Sequence, residues 1–323
     1  MSPIRRRIGH FSRGENGTLD IAILKEDFND KCYGELNQYI NFISKLQPIL
    51  ISYETIELSY REFLELIKKY DQHFATVIAP DAAHIGILLG YLVETTQKII
   101  NFLSSATSFL TCSEVRLKKE FGKKSKQLDE WNEHRRNLHS QNVEYRFLYE
   151  MRNYSQHYHL PVSNIGVKLN NLAIGERSTS NTIEINRDEL LSSGYDWRED
   201  IKEDIKGLDE KINVAPIVES YMNSLRKIAY KYFSVYEKEI QECHHYLVAL
   251  RSFFAFPANS TPVIYIGETP EGQPAPQQAE FIPFYQFNWI HKHYLQLSQH
   301  ITPHSLILKS EKPIYNHGES LFA

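Results

Sequence analysis

Cysteine is scarce in this chain: Cys32, Cys112 and Cys243 are spread over 323 residues. An odd number at such wide spacing argues against a disulfide framework, and without a Cys-x-x-Cys pair there is no thiol zinc ribbon or dithiol redox motif. Long apolar runs are also missing. The longest, IGILLGYLV from Ile85 to Val93, falls well short of the roughly 20 residues a spanning helix needs. The opening MSPIRRRIGHF has no apolar signal core. A soluble, cytoplasmic protein without a membrane partner is expected.

An excess of one charge is absent too. With 36 Lys and Arg against 40 Asp and Glu, the net charge is −4, so any nucleic-acid partner must be held by a local patch and not by a global field. No Gly-rich phosphate loop, Gly-x-Ser-x-Gly elbow or His-Glu-x-x-His helix occurs, which removes several enzyme classes. The apolar share of 42% and charged share of 24% are those of a folded globular protein.

What the sequence does contain is helical period. From Ala82, apolar residues at Ile85, Leu89, Leu92, Ile99, Leu103, Ala106 and Leu110 step by threes and fours, the mark of a long amphipathic helix. Upstream, 33–47 and 59–74 read as two more helices, the second opened by a Ser59/Glu62 capping box. Ile217, Tyr221, Leu225, Ile228, Tyr232 and Val235 mark another. Between them, VKLNNLAI and NTIEIN read as a β-hairpin, and the charged DWREDIKEDIKGLDEK as a solvated surface segment. VIYIG, a Pro/Gln-rich stretch at 269–278 and the aromatic FYQFNWIHKHYLQL follow. The expected fold is mainly α: a helical extension over 1–80, an up-and-down bundle over 81–255 with a hairpin insert at about 165–187, and a small mixed α+β appendage over 256–323.

The stretch YEMRNYSQHYHLP, from Tyr149 to Pro161, carries the functional question. Phe147, Met151, Tyr154 and Tyr158 recur at helical spacing and predict a buried stripe, with Pro161 closing the helix. Arg152, Asn153 and His157 lie off that stripe. At about 100° per residue, Asn153 and His157 stack one turn apart, while Arg152 lies about 140° from His157 and reaches the same ligand only through its long side chain. A permanently charged guanidinium and an imidazole that titrates near neutrality are the two groups needed to cleave a phosphodiester without a metal.

RNYSQH resembles the Arg-x(4–6)-His motif of HEPN domains (higher eukaryotes and prokaryotes nucleotide-binding), in the form with a polar residue directly after the arginine. The long preceding helix YLVETTQKIINFLSSATSFL, the link LKKEFGKKSKQLDEW and the trailing LP are similar to the bundle context of that motif. The resemblance covers roughly residues 80–250. It implies a helical bundle that dimerises so that two motifs face one cleft, and a metal-independent endoribonuclease of toxin–antitoxin, abortive-infection or anti-phage systems. Arg152, His157 and Asn153 would then be catalytic, RNA the substrate, and an antitoxin or sensor a partner.

Other readings stand beside this one. Arg152, Asn153 and His157 also suit a solvent-facing helix whose carboxy end favours positive charge, in a non-catalytic binding or regulatory module. His159 also fits the motif spacing from Arg152. Lys118, Lys119, Lys123, Lys124 and Lys126 could track RNA, yet Glu114, Glu120, Asp129, Glu130 and Glu133 are interspersed, as on an ordinary solvated face. The Cys243–His245 and His291–His293 clusters lack finger-like spacing, so no metal or other cofactor is expected. Aromatic residues at helical spacing read as core.

Overall fold

The computed structural model describes residues 6–14, 16–75, 82–171, 177–257, 259–267 and 278–301. It is mainly helical with two small antiparallel sheets. The chain opens with a hairpin, β1 (Arg6–Arg13) and β2 (Leu19–Asp27). Gly9 is required there, because a Cβ would stand 2.2 Å from the Ala22 carbonyl oxygen across the pair.

A single helix follows, α1 (Asp30–Ala75), where two were expected. Ser59 does not cap: its hydroxyl donates back to the Thr55 carbonyl, and Glu62 pairs with Lys98 instead of reaching for a helix start. The local signal lost to packing. Leu46, Ile49, Leu50, Tyr53, Ile56 and Tyr60 are buried across the intended break, so the apolar face runs on without interruption.

Antiparallel to it lies α2 (Ala82–Phe121). Ring contacts mark the register: Tyr53 with Phe109, Tyr60 with Phe102, and Tyr70 stacked on Tyr91 at 3.9 Å. The described part of 1–80 supplies a hairpin and α1, the longest of the described helices. The buried arc of α2 centres on Tyr91, Ile99, Phe102, Ala106 and Phe109. Leu89 lies past its edge and Ile85 at the helix start, and both are about 60% exposed, contrary to the expected stripe.

Next come α3 (Lys126–Gln141) and α4 (Val143–His157), joined only by Asn142. This residue serves both helices. Its N–H donates to the Leu138 carbonyl, its Oδ1 accepts from the Tyr145 N–H at 2.6 Å, and its Nδ2 donates to Ser220 and Ser224. The expected hairpin is present as β3 (Asn164–Asn171) and β4 (Arg177–Asn186), followed by α5 (Arg187–Ser192), α6 (Glu199–Lys206) and β5 (Lys211–Asn213), which joins β4 in a three-stranded sheet.

The series from Ile217 lies on α7 (Val214–Ser234) with Asn213 as its cap, and α8 (Glu237–Phe253) follows. Then β6 (Thr261–Ile266) pairs with β1, β7 (Gln278–Phe281) with β6, and α9 (Phe284–Ile301) ends the described chain. The Pro/Gln-rich stretch falls almost wholly outside the described residues. In the described carboxy-terminal segment, β6 and β1 share a sheet, Tyr294 of α9 stacks on Tyr230 of α7, and buried apolar side chains from Ile8 to Leu297 belong to one cluster. Among the described residues no helix is long and apolar enough to cross a membrane.

Candidate functional site at the end of helix α4

The inner face of α4 buries Tyr145, Phe147, Leu148, Met151 and Tyr154. Tyr158, expected to continue that stripe, is 54% exposed. It is the C-cap, with φ −125° and ψ −65°; its ring still stacks on Tyr154 at 6.5 Å, but at the helix end it stays open to solvent. The N–H groups of Tyr158 and His159 both end on the Tyr154 carbonyl, at 2.9 and 3.3 Å. His157 is thus the last helical residue, exposed like Tyr158 and His159 beside it.

Arg152 and Asn153 are half-buried. Arg152 Nη1 donates to Asn153 Oδ1 at 3.0 Å, while Arg152 Nε is buried and has no hydrogen-bond partner. Asn153 Nδ2 points to Glu150 Oε1 at 3.5 Å, and the Tyr195 hydroxyl donates to that same oxygen. A short polar row therefore runs from Tyr195 through Glu150 and Asn153 to Arg152. Burial, reinforced by the Glu150 carboxylate, pushes the Tyr195 hydroxyl pKa well up. Asn153 thus bridges Arg152 and Glu150.

The wall behind this row comes from Tyr195 and from the segment after it, expected to be solvated. Trp197 and Tyr195 sit in the α5–α6 connection. Trp197 stacks on Tyr154 at 5.1 Å, and Tyr195 meets Tyr154, Tyr158 and Trp197 edge-on. Ile201 and Ile205, one turn apart on α6, are fully buried. Between them in sequence, Asp204 takes the Arg146 guanidinium through Nε and Nη2. Two isoleucines at i and i+4 were the overlooked signal in a stretch dominated by charge.

The lysine group lies elsewhere. Lys118 pairs with Glu114, and Lys126 with Glu130 at 3.6 Å. Glu130 also accepts from Lys231 near the end of α7 at 2.8 Å, whereas α4 starts against Ser220 and Ser224, about 10–16 Å earlier along that helix. Lys119, Lys123 and Lys124 are exposed. The lysines thus border the end of α7, and the motif borders the α5–α6 connection. A polar groove lined by Asn142, Ser220, Asn223, Ser224 and Lys227 opens at the start of α4, about four turns from His157.

Two residues of the polar row escaped sequence reasoning. Glu150 is one helical turn before Asn153 and could have been found from that spacing; Tyr195 depends on a long-range contact. Among the described residues, no three His, Cys, Asp or Glu side chains are arranged to hold a metal ion. Compared with known proteins, the chain matches no family model, no curated protein and no solved structure.

Proposed function

We propose that this chain is a HEPN-type, metal-independent endoribonuclease, acting as a homodimer in the cytoplasm in stress, toxin–antitoxin or anti-phage defence. One observation carries the reading: Arg152 holds a buried, unpartnered Nε donor beside an Nη1 fixed by Asn153, on the same helix end as exposed His157. A buried donor without a partner is costly, and a phosphate oxygen would satisfy it.

In this reading Arg152 binds the non-bridging oxygens of the scissile phosphate and offsets the charge that builds in the pentacoordinate transition state. His157 removes the ribose 2′-OH proton or delivers a proton to the departing 5′-oxygen. One histidine cannot do both in a single step, so the second copy's motif supplies the complementary role. His159, beyond the helix end, is a helper and not the principal base. A sensor or antitoxin would act on this cleft.

The test is cleavage of RNA by the purified full chain, with Arg152→Ala and His157→Ala variants whose fold and oligomeric state are verified. Both variants should lose at least a hundredfold in rate; equal cutting by all three would reject the assignment. The rival, a non-catalytic helical binding module, is favoured by one observation. Lys118 and Lys126 are held by Glu114 and Glu130 and offer RNA no bare cationic track. No cutting of RNA by any of the three folded proteins would support it.

A further inference from the structure

Two histidine clusters that the proposed chemistry leaves unused meet in the fold. The His244 ring of α8 lies on the His291 ring of α9, with centroids 4.1 Å apart and planes 19° from parallel. Phe287, one turn before His291, stacks on it at 5.7 Å and approaches His244 at 6.2 Å. The three rings form one packed group between the helices. Two imidazoles this close cannot both carry charge without strong repulsion, so the stack belongs to the neutral form.

His293 is two positions further along α9 and projects to the other side, about 160° around the helix. Its Nε2 lies 2.8 Å from Glu54 Oε1 on α1, and its Nδ1 lies 2.8 Å from the Trp289 carbonyl oxygen. Both ring nitrogens face acceptors. An imidazole with two acceptors can satisfy both only as the doubly protonated cation.

We propose that α9 is a pH-sensitive clasp, held to α8 by the uncharged His244–His291 stack and to α1 by the charged His293–Glu54 pair, so that acidification releases it from α8 while it stays fastened to α1. Among the described residues, the ionisable groups acting on these rings are His245 on α8, Lys292 on α9 and Glu54 on α1. Tyr294 of α9 and Glu237 of α8 form a further link that does not involve a histidine.

The electrostatics agree in sign. Burial, then His244 and His245, lower His291 to about 4, and burial, then His245, lower His244. Burial alone would lower His293 as well, but its bonds to Glu54 and the Trp289 carbonyl outweigh this and raise it. A lowered histidine stabilises the closed arrangement above its free value near 6.5, and that stabilisation is lost as pH falls from there toward about 4. A raised histidine contributes fully below 6.5 and loses its contribution as pH rises through the folded value. The two sides of α9 therefore respond in opposite directions.

Hydrogen exchange of the full chain between pH 7.5 and 5, corrected for intrinsic rates, tests this without reference to catalysis. Opening of the α8–α9 amides should rise by up to tenfold per pH unit for each refused proton. In a His244→Phe/His291→Phe variant, which keeps stacked rings without charge, that rise should flatten. Should the double variant fold poorly, His291→Phe alone should halve the slope. Glu54→Gln should loosen α9 from α1 at pH 6 and leave the α8–α9 response in place. A pH-independent wild type, or a phenylalanine variant with the wild-type slope, would overturn the clasp.

Discussion

The Tyr195 hydroxyl donates to the Glu150 carboxylate, tying the α5–α6 connection to α4 two residues before Arg152. Through Asn153 the same row reaches the Arg152 guanidinium. The guanidinium is therefore placed by tertiary contact as well as by its position on the helix. Tyr195→Phe removes one hydrogen bond and keeps the ring contacts. It should lower unfolding stability by about 0.5–1.5 kcal/mol in urea denaturation, and Tyr195→Ala by clearly more because the ring packing is lost as well. Equal effects of the two variants would show that the hydroxyl contributes nothing.

Arg226 holds Glu57 bidentately, Nε to Oε1 and Nη2 to Oε2, both at 2.9 Å, fastening α7 to α1. Tyr53 adds its hydroxyl to the same carboxylate. Both partners are about four-fifths buried, so removing one leaves the other poorly solvated. Glu57→Ala should cost on the order of 2 kcal/mol, and a Glu57→Ala/Arg226→Met double variant should recover part of that. A double variant as unstable as the sum of the two single changes would argue against direct coupling.

Asn142→Ala should lower stability by about 1–2 kcal/mol, because the side chain caps α4 and also reaches Ser220 and Ser224 on α7. Asn142→Asp keeps the capping oxygen but loses the Nδ2 donor, so an intermediate value is expected. Thermal unfolding of the three proteins orders them directly.

Global stability should decline as pH falls below about 6.5. Burial lowers His134, His139, His244 and His291. The unfolded chain therefore takes up protons that the native chain refuses, and stability falls with pH wherever that holds. Glu114, lowered chiefly by its hydrogen bond from Lys118, adds a second loss as pH drops through the carboxylate range. Urea midpoints at pH 7.5, 6 and 5 should fall in that order; a midpoint that rises from 7.5 to 5 would contradict the sign.

Helix existence was legible in the sequence because it depends on period: the runs on α2, α4, α7 and α9 all appear as helices. What escaped was set by partners distant in sequence. Ser59 and Glu62 have the spacing of a helix start, yet continuous burial along α1 overrode it. The pairing of Ile8 with Ile264 joins strands about 250 residues apart, which no local pattern encodes. At the site, Arg152, Asn153 and His157 were legible from their place on α4. Tyr195 was not, since a tyrosine in a loop becomes part of the polar row only once α6 docks through Ile201 and Ile205. The separation of the lysines from the motif depended likewise on where α7 carries Lys231.

In the proposed function, this chain cuts RNA through Arg152 and His157 by attack of the neighbouring 2′-OH. The most direct measurement is end-group analysis of RNA incubated with the purified full chain in EDTA. Fragments ending in 2′,3′-cyclic phosphate and beginning with 5′-hydroxyl are expected, absent with His157→Ala. Fragments with 5′-phosphate ends, or cutting that persists in His157→Ala, would contradict it.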